Sequence, residues 1–157
     1  MQDLSVSLNK SACFILNGTS GLDNLFAGDH TLSVSSDADE QLIIHIAFNA
    51  TVNISNLELG IPPDDSCPAT IKLFNNRNNL DFAACAEEKP TQVVDLEPAE
   101  GPTRVPVKLA AVKWNRCDSI TIFVESNHGA AQSKLFSLKM FGTPVHGTNV
   151  ADIGKGG

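Results

Sequence analysis

Apolar and polar residues alternate in short stretches along most of this sequence, and this pattern constrains the fold more than any other feature. A period of two residues places successive side chains on opposite faces of a β-strand. The stretches are residues 31–36, 41–48, 51–60, 69–75, 91–96, 104–110, 119–125 and 134–142. The pattern therefore predicts about eight or nine short strands, and the apolar face of each strand predicts the core.

The most regular stretches also indicate which side chains point inward. They are Leu42, Ile44, Ile46, Phe48, Ile71, Leu73, Val105, Val107, Leu109, Ile120, Ile122, Val124, Phe136, Leu138 and Met140. Pro106 falls on the outward side of its stretch. Because proline has no N–H to donate to a neighbouring strand, Pro106 predicts an edge strand.

Residues 51–60 change face part-way along the stretch. Val52 and Ile54 share one parity, whereas Leu57 and Leu59 share the other. A strand keeps all four side chains on one face only if it contains one extra residue, which is a β-bulge. We therefore predict a single kinked strand with its bulge at Ser55-Asn56.

Helices are nearly absent from the pattern, and residues 79–88 are the only stretch for which we predict one, of about two turns. Without helical crossovers the strands cannot form a parallel sheet, so we predict an all-β fold, an antiparallel β-sandwich. Residues 1–30 are polar and are expected to wrap the sandwich without joining a sheet. The predicted organisation is a leader at 1–20, one domain at 21–145 and a flexible tail at 146–157.

The charge balance limits the partners that such a domain can have. The chain has 11 Lys and Arg against 18 Asp and Glu, a formal net charge of −7. Nucleic acids and anionic lipids require a concentrated positive field, so neither is expected as a partner. No apolar run approaches the ~20 residues that span a bilayer. The N-terminal residues have no signal-peptide pattern, so a cytosolic or nuclear location is expected.

The four cysteines, Cys13, Cys67, Cys85 and Cys117, are widely spaced and form no C-x-x-C pair. This spacing argues against a zinc ribbon and against a thioredoxin-type redox motif within the chain. Two disulfides would be possible in a secreted protein. Without a signal peptide we expect free, largely buried thiols.

The sequence contains no pattern typical of a catalytic or cofactor site. A nucleophile needs a base within reach, but there is no G-x-S-x-G motif and the histidines are far apart in sequence. His45 lies on the less apolar face of its stretch, so we expect it at the surface or at an edge. Asp64-Asp65 falls at a predicted turn and is expected to be solvated. We therefore expect no enzymatic activity, no metal and no cofactor.

Carbohydrate or small-ligand binding is the main alternative for a β-sandwich. Sugar sites in such domains stack the ligand on exposed Trp or Tyr, but this chain has no Tyr and a single Trp, Trp114. We expect Trp114 to pack in the core or at an edge. A surface that docks onto another protein is therefore favoured.

Several segments occur in a fixed order that is specific as a set. They are LDN at 22–24, DEQLIIHIAFN at 39–49, KLFNNRNNLDFAACAEEKPTQVVDL at 72–96, SITIFVESNHG at 119–129 and FGTPVHGTNVAD at 141–152. Together they resemble the PITH domain family over nearly the whole chain. The resemblance implies a jelly-roll β-sandwich similar to the galactose-binding-like fold, without catalytic residues. It also implies association with the 26S proteasome regulatory particle in cytoplasm and nucleus, as a module of a thioredoxin-like protein. We expect the chain to be a monomer.

The resemblance fixes no contact residue, so the candidates come from loop positions. We expect partner contacts from Asn127, His128 and Gly129, from the turn residues Thr143 and Pro144, and from Thr148, Asn149 and Asp152 in the tail. The alternative for the loop and the turn is that these residues only shape the backbone. Two competing functions stay open, a lectin-like module and a thiol enzyme that uses one of the cysteines.

Overall fold

The computed structural model describes residues 2–19 and 21–145, which form ten strands and two short α-helices. The strands are β1 (Gln2–Asp3), β2 (Phe14–Leu16), β3 (Val34–Ser35), β4 (Leu42–Ile61), β5 (Pro68–Asn75), β6 (Gln92–Asp95), β7 (Thr103–Lys108), β8 (Cys117–Asn127), β9 (Lys134–Leu135) and β10 (Ser137–Pro144). The helices are α1 (Asp23–Ala27) and α2 (Phe82–Glu87). Neither helix is long and apolar enough to cross a membrane.

The strand β4 takes part in both layers of the sandwich. Its first part, from Leu42 to Ala47, pairs with β8 on one side and with β2 on the other, and β5 and β6 follow beyond β8. In its second part, Val52–Gly60 pairs with β10 on one side, Asn56–Ile61 pairs with β7 on the other, and β1 adds to β10. All of these pairs are antiparallel, which confirms the predicted sandwich. Within the described ranges β7 pairs with β4 alone, so Pro106 lies on an edge strand, as predicted.

The bulge predicted in β4 is present. Phe141 lies opposite Asn56 and Gly142 lies opposite Ile54, so Ser55 is the extra residue between them. The apolar residues on both sides of the bulge are therefore buried in the same core, namely Val52, Ile54, Leu57 and Leu59.

The buried apolar side chains form a larger cluster between the layers and a smaller cluster outside them. The larger cluster fills the space between the layers and contains most of the predicted inward side chains; Val105 is only partly buried. The smaller cluster lies on the outer face of the sheet and consists of Ile43, Phe74, Leu80, Cys85 and Phe123. The helix α2 covers that face, and Asp81 caps it by accepting a hydrogen bond from the Ala84 amide at 2.8 Å. A helix is thus present within 79–88, as predicted.

The N-terminal residues join the sheets, contrary to our expectation for residues 1–30. β1 pairs with β10 and β2 pairs with β4. These strands are 2 and 3 residues long, which is too short to show a period of two.

A second helix, α1, was also not predicted; it has 5 residues and ends at Gly28, whose φ of 71° favours glycine. The last predicted strand is interrupted at Phe136, which separates β9 from β10.

His45 is buried, and our expectation of a surface or edge position is wrong. Only 4% of the residue is exposed, and its ring stacks on Phe14 with 4.8 Å between centroids. Its Nδ1 lies 3.0 Å from Thr121 Oγ1, and the Thr121 hydroxyl donates to the Arg77 carbonyl at 3.1 Å. Nδ1–H of His45 therefore donates to Thr121 Oγ1. Because β2 covers the ring, burial lowers the pKa of His45 below its ordinary 6.5.

This burial predicts an acid-dependent loss of stability. The folded state holds His45 neutral, whereas the unfolded state binds a proton at about pH 6.5, so the contribution of His45 is complete above that pH and declines below it. We expect the free energy of unfolding to fall between pH 7.5 and 5.5 and the fall to be smaller in His45→Gln. His30→Gln, at an exposed position, is the control. Urea denaturation at each pH measures the effect, and an unchanged slope in His45→Gln would contradict it.

A second effect on stability is expected at Gly142, where β10 lies very close to the backbone of β4. A Cβ atom at this position would lie 1.9 Å from the Asn53 carbonyl oxygen in β4, which is backbone and cannot move aside. We expect Gly142→Ala to lower the free energy of unfolding by about 2 kcal/mol or more. Gly101→Ala is the matched control because a Cβ there meets no atom within 4 Å. Equal denaturation midpoints for the two variants would show that the close approach is absent.

Candidate functional site

Connections from four parts of the chain meet at one end of the sandwich, which we call the loop end. It consists of residues 28–33, 62–67, 96–102 and 128–133. Backbone hydrogen bonds join the second of these segments to the fourth: the His128 N–H donates to the Asp65 carbonyl at 3.1 Å, and the N–H of Lys134, just after the fourth segment, donates to the Ser66 carbonyl at 2.9 Å. Loops held in this way by a rigid sandwich are where binding residues concentrate.

Of the predicted contact residues, Asn127, His128 and Gly129 lie at the loop end. The Asn127 amide donates to the carbonyls of Ala130 and Gln132 and to Ser133 Oγ, at 3.0 to 3.2 Å. Its Oδ1 accepts from the Gly129 N–H at 2.9 Å. Asn127 therefore shapes the loop from inside, and Gly129, at a φ of 122°, permits its turn.

His128 ties the loop to its neighbour. Its Nε2 lies 2.7 Å from the Leu96 carbonyl oxygen, so this nitrogen carries the proton and donates. The imidazole thus connects the 128–133 loop to the segment that follows β6. This bond leaves His128 half-buried and fixed in orientation.

Two adjoining clefts open at the loop end and share Asp64 and Lys134. The larger, of about 410 Å³, is lined by Asp64, Asp65, Ser66, Ala130, Ala131, Gln132 and Lys134. The smaller, of about 250 Å³, is lined by His30, Thr31, Ser33, Pro62, Pro63, Asp64, Pro102, Lys134 and Phe136. These residues were not among the sequence-based candidates, because they come from segments far apart in the chain.

Phe136 forms an aromatic wall of the smaller cleft. The His30 ring meets it edge-on at 6.3 Å between centroids, and the Arg104 guanidinium lies 5.9 Å from its centroid. Arg104 also donates to the Gly28 carbonyl. A Cβ on Gly60 would lie 2.8 Å from the Phe136 ring. A glycine inside a strand often marks such a close approach, so Gly60 is the signal that sequence analysis could have used.

The loop end is predominantly acidic. Its carboxylates include Asp29, Asp64, Asp65, Glu97 and Glu100. Asp64 accepts hydrogen bonds from the hydroxyl and the N–H of Ser66, and these bonds hold the pKa of Asp64 below its usual range. The carboxylate thus stays charged at neutral pH, so the loop end favours partners that bring positive charge.

Thr143 and Pro144 are the last two residues of β10, paired with Asn53 and Val52, so our expectation of a turn there is wrong. They lie at the end of the sandwich opposite the loop end. β10 begins at Ser137, opposite Gly60, and reaches Pro144, opposite Val52. Seven residues at about 3.3 Å each separate the two positions by about 23 Å. The structure thus does not bring Thr143 and Pro144 together with Asn127–Gly129. Thr148, Asn149 and Asp152 lie outside the described residues.

The side chains that could carry chemistry are mostly buried. All four cysteines are free, and three of them are buried. Burial raises the pKa of Cys67 and Cys85 to about 11 and that of Cys117 to about 12, and it also raises the pKa of the half-buried Cys13. Residues 2–19 and 21–145 contain no group of three or more His, Cys, Asp or Glu side chains that could hold a metal ion.

Trp114 is fully buried, as predicted. Its indole Nε1–H donates to Gln92 Oε1 at 3.1 Å, so both the apolar surface and the polar group of the side chain are satisfied internally. The ring cannot stack on a sugar in this position. The aromatic wall at the loop end is Phe136, which is 5% exposed.

Sequence comparison gives a consistent result over most of the chain. The family model described as the PITH domain matches residues 1–155. Thioredoxin-like protein 1 of Schizosaccharomyces pombe is 33% identical over 141 residues, which are 85% of this chain and 48% of that protein. PITH domain-containing protein 1 of Danio rerio is 29% identical over 73% of this chain and 53% of its own length. The chain thus spans about half the length of these relatives.

Solved structures with a similar fold include carbohydrate-binding modules of Clostridium perfringens. The CBM32-1 and CBM32-2 domains of ZmpB, in complex with GalNAc, give a TM-score of 0.65 at 11% identity, over 87% of this chain and 33% of theirs. The family 32 module of NanJ, in complex with galactose, gives a TM-score of 0.60 at 10% identity, over 85% of this chain and 97% of that module's chain. At these identities the likeness shows the fold, a galactose-binding-like jelly roll.

The raised thiol pKa values predict that the four cysteines react slowly in the folded chain. At pH 7.4 we expect the folded chain to react with Ellman's reagent at least about a hundredfold more slowly than free cysteine, because the thiolate is the reactive form. Unfolding in guanidinium should expose all four thiols at once. Cys13→Ser identifies any residual slow reaction of the half-buried thiol. A thiol that reacts in the folded chain as fast as free cysteine would support the thiol-enzyme alternative.

Proposed function

The chain belongs to the PITH domain family, and from this premise we propose that it is a non-catalytic module that docks a thioredoxin-like protein onto the 26S proteasome regulatory particle. The observation that carries the proposal is the match over residues 1–155, together with the relative named thioredoxin-like protein 1. Because that relative is about twice as long as this chain, a separate thioredoxin-like domain belongs to the proposal. The module acts as a monomer in the cytoplasm and nucleus.

The loop end is our proposed contact surface. It combines hydrogen-bonded loops, adjoining clefts and exposed carboxylates. Because their pKa values are raised, the thiols are protonated at neutral pH and offer no competing chemistry. Asn127 and Gly129 act in this proposal by shaping the loop, while Asp65, Gln132 and Lys134 provide exposed side chains for contact. Thr148, Asn149 and Asp152 in the tail, and Thr143 and Pro144 at the other end, remain candidates for a second contact.

Carbohydrate binding has weaker support. The similar solved structures include modules in complex with galactose and GalNAc, but their identity to this chain is about a tenth. The single tryptophan is in the core, and the chain has no tyrosine. Calorimetry with galactose and N-acetylgalactosamine is expected to give no binding heat at millimolar sugar. Saturable binding heat in this assay would favour the carbohydrate alternative.

Co-purification tests the proposed function. The tagged 157-residue chain is incubated with cell lysate, and proteasome regulatory-particle subunits are quantified at low and moderate salt. We expect enrichment with the wild-type chain and a loss of at least about fivefold with Asp65→Lys combined with Lys134→Glu, because reversed charges oppose a complementary surface. Glu87→Lys combined with Lys89→Glu makes the same charge changes at and just after α2, away from the loop end, and should bind like wild type.

The results of this co-purification experiment distinguish contact at the loop end from contact in the tail. Loss of binding only when residues 146–157 are removed would move the contact from the loop end to the tail. Equal loss in the two charge-reversal pairs would mean that the effect is general and that the loop end is not the contact. No enrichment over a tag-only control at either salt concentration would overturn proteasome docking by this chain.

A further inference from the structure

A second surface, at the end of the sandwich opposite the loop end, exposes apolar side chains. We call residues 108–113 the lysine-flanked segment. Val112 is 84% exposed, and Ala110 and Ala111 are exposed beside it. Leu109 and Trp114, on either side of these three residues, are buried at 3% and 0%. The chain thus enters the core at both ends of a short apolar projection.

The exposure of Val112 does not result from a loose backbone. Gln92 Oε1 accepts from the Ala110 N–H at 3.2 Å and from the Trp114 indole at 3.1 Å, while Gln92 Nε2 donates to the Lys108 carbonyl at 3.0 Å. Asn75 Nδ2 donates to the Lys113 carbonyl at 2.8 Å. These bonds hold the segment in one conformation. A fixed surface loses little conformational entropy when a partner binds.

Grooves run along this segment on both sides of Lys108. One, of about 400 Å³, is lined by Gln92, Lys108, Leu109, Ala110, Ala111 and Lys113. The other, of about 330 Å³, is lined by Ser55, Asn56, Pro106 and Lys108. The stems of the two lysines and the alanines give the first groove an apolar surface that can accept a side chain of moderate size.

The charges around the segment differ from those of the rest of the chain. Residues 101–117 contain no Asp or Glu but include Arg104, Lys108, Lys113 and Arg116, although the chain as a whole carries −7. Neither Lys108 nor Lys113 forms an ion pair within the part of the chain that the structure describes. Two unpaired ammonium groups therefore lie on either side of exposed apolar side chains.

We propose that the lysine-flanked segment binds an acidic segment of another protein, in which carboxylates flank an apolar side chain. The apolar side chain enters the groove beside Ala110 and Ala111, and the carboxylates pair with Lys108 and Lys113. β7 runs from Thr103, opposite Ile61 next to the loop end, to Lys108, opposite Asn56. The segment therefore lies away from the loop end, and this proposal does not depend on the one made for proteasome docking.

The test uses a defined peptide with the 157-residue chain. The probe is a labelled peptide with the core EDLFED, compared with a KKLFKK peptide and an EDSSED peptide. Titration of the ¹⁵N-labelled chain by NMR reports where each peptide binds, and fluorescence polarisation gives the Kd. We expect shift changes at Gln92 and at residues 108–113 with EDLFED, and weaker or no binding of the other two peptides.

Variants identify the two parts of the contact. We expect Lys108→Glu combined with Lys113→Glu to raise the Kd for EDLFED at least about fivefold, and the wild-type Kd to rise between ~50 mM and ~300 mM salt. Val112→Asp should raise the Kd by a similar factor. Val6→Asp is the matched control, because Val6 is 79% exposed and lies in the N-terminal 3₁₀ turn at Leu4–Ser7.

Three results would overturn the proposal. The first is the absence of shift changes at residues 108–113 with millimolar EDLFED. The second is an equal effect of Val112→Asp and Val6→Asp on the Kd. The third is a shift at these residues that depends on the concentration of the chain without peptide, which would identify a second copy of the chain as the occupant. None of these results bears on proteasome docking at the loop end.

Discussion

Both layers of the sandwich depend on the unbroken course of β4. Its 20 residues pair with β8 and β2 in one layer and with β10 and β7 in the other, so both layers belong to one continuous hydrogen-bonded sheet that runs through β4. The extra residue at Ser55 allows both parts of β4 to turn their apolar side chains toward the same core. Without it, either Val52 and Ile54 or Leu57 and Leu59 would face solvent, because a slip of one residue reverses the face of every side chain.

The ends of the sandwich have different chemical character as a consequence of this arrangement. Loops between strands meet at the loop end and bring carboxylates from separate segments around adjoining clefts. The lysine-flanked segment follows β7, which runs away from the loop end, and its lysines have no ion-pair partner in the described ranges. A rigid core with two surfaces of opposite charge suits a module that brings other proteins together, since complementary charge steers and selects partners. Burial raises the pKa of all four thiols and so disfavours their reactive thiolate form.

The fold was largely predictable from sequence, whereas the candidate site was not. Strand periodicity identified the inward residues of β4, β5 and β8, and the change of parity identified the bulge. The short strands β1 and β2 were not predicted, because two or three residues cannot display a period. The error at His45 has the same origin: its ring lies on the less apolar face of β4, and Phe14 of the short strand β2 stacks on that ring.

The sequence by itself determined the all-β class, the antiparallel sandwich, the bulge in β4 and the absence of recognisable catalytic motifs, because these follow from the order of side chains along a strand. Only the tertiary structure decided which loops share an end. It brought Asp64, Lys134 and Phe136 around one cleft, placed Pro144 about 23 Å along β10 from that end, and turned Asn127 inward. The physical reason is that local order sets the face of each side chain, whereas neighbours across a sheet or between loops are set by register and packing over long separations in sequence.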